Sequence, residues 1–169
     1  SEFTDSSVAE GDSSMIVILI DMEPGSSKYK TYDWTTQNKQ KVNNYFFGAK
    51  SDTPSSWNSL KTYYQQASNN KINITGKVFE PYPSTYTVAD ITDSNRPTLL
   101  NNAVKYVKQQ NPTMDWSTYD RNKDGYFDNL HFITNLYMDG IEWSDPLWPH
   151  QSALRASGGT ASSPVGNVY

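Results

Sequence analysis

Residues 15–20 read MIVILI, an unbroken apolar run ended by Asp21. Its residues are mostly β-branched, and a continuous run of this length between polar flanks reads as a strand buried on both faces. It is far too short to cross a bilayer. Residues 1–14, ahead of it, are polar and rich in Gly and Ser. They are expected to form a flexible lead-in, with Ser1–Phe3 resembling a cloning remnant. This stretch is acidic rather than basic, so it does not make the run a signal peptide.

Downstream, Pro24, Gly25 and the serines after them read as a loop. Thr35 or Thr36 caps a helix reaching Phe46 or Phe47, with Val42, Tyr45 and Phe46 as its apolar stripe and Gly48 just past its end. Ser55–Ser56 is expected to open a second helix carrying Trp57, Leu60, Tyr64 and Ala67 on one side. Ile72, Ile74, Val78 and Phe79 suggest a strand or hairpin, with Gly76 as a bend or bulge and Pro81 and Pro83 as its end. Pro97 suits the first residue of a third helix with Leu99, Leu100, Ala103, Val104 and Val107 on one face, ending before Pro112. Residues 130–136 alternate as a strand. The order strand, helix, helix, strand, helix, strand predicts an α/β or α+β domain, a mixed twisted sheet flanked by helices.

The chain has 169 residues, enough for one domain with a real core. It has no cysteine, which excludes disulfides and thiolate metal sites. A net charge of −4 without a basic block argues against nucleic acid and against an anionic membrane surface.

Before the last strand the sequence is DRNKDGYFDN, residues 120–129. Crowded carboxylates repel unless a cation sits among them, and calcium takes six to eight oxygens from alternate loop positions, with Gly at the sixth. Asp120, Asn122 and Asp124 stand at the first, third and fifth positions, Gly125 at the sixth, Tyr126 at the seventh and Asp128 at the ninth. The twelfth position holds His131 in place of the closing Glu, so Asp128 itself, or Asp115 from upstream, is left to complete the cage. The expectation is a calcium site using side chains of Asp120, Asn122, Asp124 and Asp128 and the carbonyl of Tyr126.

VNNYFFG, SLKTYYQQASNNKINITGKVFEPY, DRNKDGYFDNLHFI and LWPH follow one another in this chain. In that order they resemble the immune inhibitor A-like metallopeptidases, secreted bacterial zinc endopeptidases, over about residues 15–150. The departures are Asn69–Asn70 where Tyr-Gly is usual, and Thr134–Leu136 where a His-Ala-Gly turn is usual. The resemblance implies a zincin-like subdomain, with residues 15–169 as a partial catalytic domain, an extracellular location and protein or peptide substrates. It also implies zinc, which an HExxH helix would hold. Only His131 and His150 are present and neither begins that motif, so the resemblance implies a chain cut before its zinc helix, with zinc in the complete enzyme only. His150 and Trp148 become candidates for the substrate cleft. His131 is expected to face solvent or the oxygen-rich loop, and Glu142 to be an exposed loop acid. Trp143, Trp148, Tyr82 and Tyr86 are expected to anchor core or loops rather than form a stacking platform. Apolar surface left by a missing helix would favour self-association. The alternative reading is a calcium-stabilised binding or adhesion module without chemistry.

Overall fold

A computed structural model describes residues 11–50 and 58–147. Three strands, β1 (Gly11–Asp21), β2 (Ile72–Pro83) and β3 (Asn129–Thr134), form one sheet in the order β2-β1-β3. Both pairings are parallel, with Val17 opposite Val78 on one side and His131 on the other. The expected α/β architecture is present, but the expected mixed sheet is parallel across its described strands. Antiparallel pairing is confined there to the bridge between Thr31 and Leu136. The physical reason lies in β1. Ile16, Val17, Leu19 and Ile20 are wholly buried, so both faces of this central strand must be covered by helices, and parallel strands joined by helical crossovers achieve that.

Helices α1 (Thr36–Phe47) and α2 (Leu60–Ala67) lie between β1 and β2 in the chain, and both pack on β2. Helix α3 (Arg96–Gln110) lies between β2 and β3. It presents Leu99, Ala103, Val104 and Val107 to a core containing Ile16, Ile18, Ile20, Phe79 and Tyr82. Thr35 caps α1, its hydroxyl accepting from the Asn38 N–H at 3.1 Å, and α3 begins at Arg96, one residue before the expected Pro97, which still lies in its first turn. The stripe expected on α1 is less buried than its pattern implied: Tyr45 is exposed, and Phe47 does the closest packing, its ring set on Gly76.

Several features differ from the sequence reading, among them the end of β3, at Thr134 rather than Leu136. β1 begins at Gly11, so residues 11–14 of the expected lead-in pair with Ile72–Thr75. α2 begins at Leu60 behind a Ser59 cap, because the Ser59 hydroxyl both accepts from the Thr62 N–H and donates to the Gly48 carbonyl. Ser55, Ser56 and Trp57 lie outside the described residues. Gly76 is neither bend nor bulge: it pairs in register with Met15, and the irregularity falls instead between Phe79 and Tyr82, where Pro81 has no N–H to offer.

Candidate functional site

The oxygen-rich segment leaves the 3-10 turn Trp116–Tyr119 and enters β3. Its exit is pinned by aromatic packing, with Trp116 against Phe79, Tyr119 and Phe127. Between these anchors the chain folds on its own side chains. Asp120 is 3% exposed, its Oδ1 accepting from the Asp124 N–H at 3.0 Å and its Oδ2 from the Gly125 N–H at 2.9 Å. Asn122 Oδ1 accepts from Asp124 N–H and Asp124 Oδ1 from Tyr126 N–H. Gly125 has φ 88°, the left-handed conformation its place in a tight turn requires, and Lys123 also has positive φ at 57°.

Asp128 closes the loop from the far side, its Oδ2 accepting from the Arg121 N–H at 2.6 Å. Burial raises the Asp128 carboxyl above its ordinary pKa; the Arg121 N–H opposes that, and the charges of Asp120 and Asp124 push it further up. These carboxylates are thus close enough to repel. Among the described residues, no three Asp, Glu or His side chains are gathered closely enough to hold a metal by themselves. A cation here would need the amide of Asn122 and the Tyr126 carbonyl as well as the carboxylates. Asp115 does not join them: it caps the preceding turn, its Oδ1 accepting from the Ser117 N–H and hydroxyl.

Arg121 was not singled out by any spacing in the sequence. Its Nη1 donates to the Asp12 carbonyl at 2.8 Å, and its guanidinium lies over Gly11. With Ser14 and Thr118 these residues line a groove at the amino end of β1. The loop is thereby tied to the first residues of the sheet.

His131 stands on β3 with its ring edge-on to Phe46 of α1 at 5.3 Å, and burial lowers its pKa. Among the described residues it is not gathered with two other Asp, Glu or His side chains that could hold zinc with it. His150 and Trp148, the cleft candidates, lie outside the described residues. Glu142 is exposed as expected, but Trp143 is not an anchor; it is 83% exposed. Tyr82 is buried against Tyr106, in keeping with a core role.

At the opposite end of the sheet, Asn135 is buried where β1 and β3 finish. Its Oδ1 accepts from the Met22 N–H at 2.9 Å, and its Nδ2 donates to Asp21 Oδ1 and to the carbonyls of Met22 and Tyr32. Loop cohesion nearby comes from Asp145, which accepts from Lys28 Nζ, Tyr29 OH and the Glu142 N–H. No helix among the described residues is long and apolar enough to cross a membrane. No protein-family model, curated protein or solved structure matches the chain.

Proposed function

We propose that this chain is the N-terminal portion of the catalytic domain of a secreted zinc-dependent endopeptidase, similar to the immune inhibitor A-like enzymes, and carries a structural calcium loop. What carries the reading is the ordered run of segments VNNYFFG, SLKTYYQQASNNKINITGKVFEPY, DRNKDGYFDNLHFI and LWPH. Its described parts fall on the end of α1, on α2 with β2, and on the loop with β3. Zinc, supplied with its ligands by residues beyond these, would activate water toward a peptide carbonyl. The residues described here supply the sheet and no catalytic group, so the portion alone is inactive.

Calcium is supported by a donor set made wholly of oxygen, by the buried Asp120 and by the mutual repulsion felt at Asp128. Binding to the folded loop alone stabilises the protein by RT ln(1 + [L]/Kd). Without a closing Glu the affinity belongs in the range of extracellular modules, Kd ~10⁻⁴–10⁻³ M. Calcium at ten to a hundred times Kd then adds about 1.4–2.7 kcal/mol. Magnesium, which demands a tighter octahedral shell, adds much less.

The test has two arms. Melting with millimolar calcium against chelator should show a rise in wild type that Asp124→Ala loses; equal behaviour of the two reduces the loop to a polar turn. Reading the coding sequence past Tyr169 decides the peptidase: an HExxH helix within a few dozen codons supports it, and a stop codon favours the calcium-stabilised binding module. That second reading is kept because the sequence holds only His131 and His150 and no HExxH.

A further inference from the structure

The chain contains the dipeptide Asp-Gly twice, at Asp124–Gly125 and at Asp139–Gly140, in opposite environments. This dipeptide is chemically labile because glycine puts no side chain between its own N–H and the preceding carboxyl. The Gly nitrogen attacks the protonated Asp Cγ, water leaves, and a five-membered succinimide forms. Water then reopens the ring at either carbonyl, restoring aspartate or leaving isoaspartate, in which the main chain runs through the side-chain carbon. Mass is unchanged overall, and no oxidant or other reactant is needed.

At Asp124–Gly125 both partners are held. The Gly125 N–H donates to Asp120 Oδ2, and the Asp124 carboxylate accepts from the Tyr126 N–H and from Asn122 Nδ2. Neither group can turn toward the other without breaking the loop. At Asp139–Gly140 the constraints are few. Residues 137–140 are all exposed, and the turn is closed by a single bond from the Ile141 N–H to the Met138 carbonyl. The Gly140 N–H donates to nothing among the described residues, and φ of Gly140 is 80°. Among the described residues Asp139 is held only by Lys30, at 3.4 Å between two well-exposed side chains, a contact of little strength.

We propose that Asp139 is a site of spontaneous aspartate isomerisation in the folded protein, and that the same dipeptide at Asp124 is protected by its loop. Isoaspartate at 139 would lengthen the backbone of the turn and displace its carboxylate from Lys30. It would do so beside the bond between the Tyr137 N–H and the Lys30 carbonyl, which holds the strap after β1 to the end of β3.

The experiment ages the full chain at neutral pH and physiological temperature, folded and in concentrated urea. Isoaspartate is located by digestion and electron-transfer fragmentation. The folded protein should accumulate it at Asp139 several-fold faster than at Asp124, and urea should bring the two rates together. Asp139→Glu, which keeps the charge but needs a slower six-membered closure, should remove the signal. Folded rates that are equal, or faster at Asp124, overturn the proposal, as does an Asp139 that reacts only in urea or in neither condition.

Discussion

Asn135 holds together the point where β1 and β3 end. One buried amide accepts from the Met22 N–H and donates to the carbonyls of Met22 and Tyr32. Replacing it with leucine leaves the buried Met22 N–H and carbonyl without these partners, and the part-buried Tyr32 carbonyl with one fewer, at a cost of about 3 kcal/mol. A urea midpoint that barely moves in Asn135→Leu would show that water takes over these bonds. His131 makes a separate prediction about pH. Its pKa is depressed by burial, so the folded state resists a proton that the unfolded chain accepts. Stability is therefore full above the ordinary histidine value, about pH 6.5, and falls as pH drops through it toward the lower folded value. The melting temperature should decline across that window in wild type and in His150→Gln, and stay nearly flat in His131→Leu. Neither role was legible in the sequence. The alternation of β3 shows which residues share a face, but not that Phe46 covers His131 or that Asn135 turns inward.

Among the elements, β2 shows how local patterns mislead. Gly76 reads as an interruption because glycine weakens strands, yet it sits in an unbroken register. A Cβ there would lie 2.3 Å from the Met15 carbonyl oxygen and 2.6 Å from the Phe47 ring. The constraint comes from another strand and a helix, and no window of sequence contains it. Gly76→Ala should cost about 1–3 kcal/mol by overpacking. Trimming the ring with Phe47→Leu should restore little, since the strand carbonyl remains; full rescue would locate the clash in the ring alone. The N-terminal extension of β1 has a similar origin. Gly11–Ser14 have poor strand propensity, and pairing with Ile72–Thr75 recruits them. By contrast, MIVILI, the Thr35 cap and the α3 face were readable because each is written within a few neighbouring residues. The oxygen-rich loop was legible for the same reason, but the grip of Arg121 on Asp12 was not.

At the scale of the molecule, β3 is, with β2, one of the two edge strands of the sheet among the described residues. All six of its residues are only half-buried, and among the described residues no further strand pairs along it. A strand whose edge pairs with nothing invites pairing with another chain. Sedimentation velocity over a range of concentrations should therefore show self-association, accompanied by binding of a hydrophobic dye. A strictly monomeric species that binds no dye would mean that this flank is covered.

The central position of β1 also has a consequence in time. On the ribosome this strand emerges before both of its neighbours; β2 follows, but Met15 must wait for Asn129, far downstream. At ordinary synthesis rates that delay is on the order of ten seconds. Throughout it, MIVILI has one flank unpaired and carries no charge to discourage other strands. The strand that organises the finished sheet is thus the segment most exposed to aggregation during its birth, and the yield of folded protein should depend on how well it is shielded until β3 arrives.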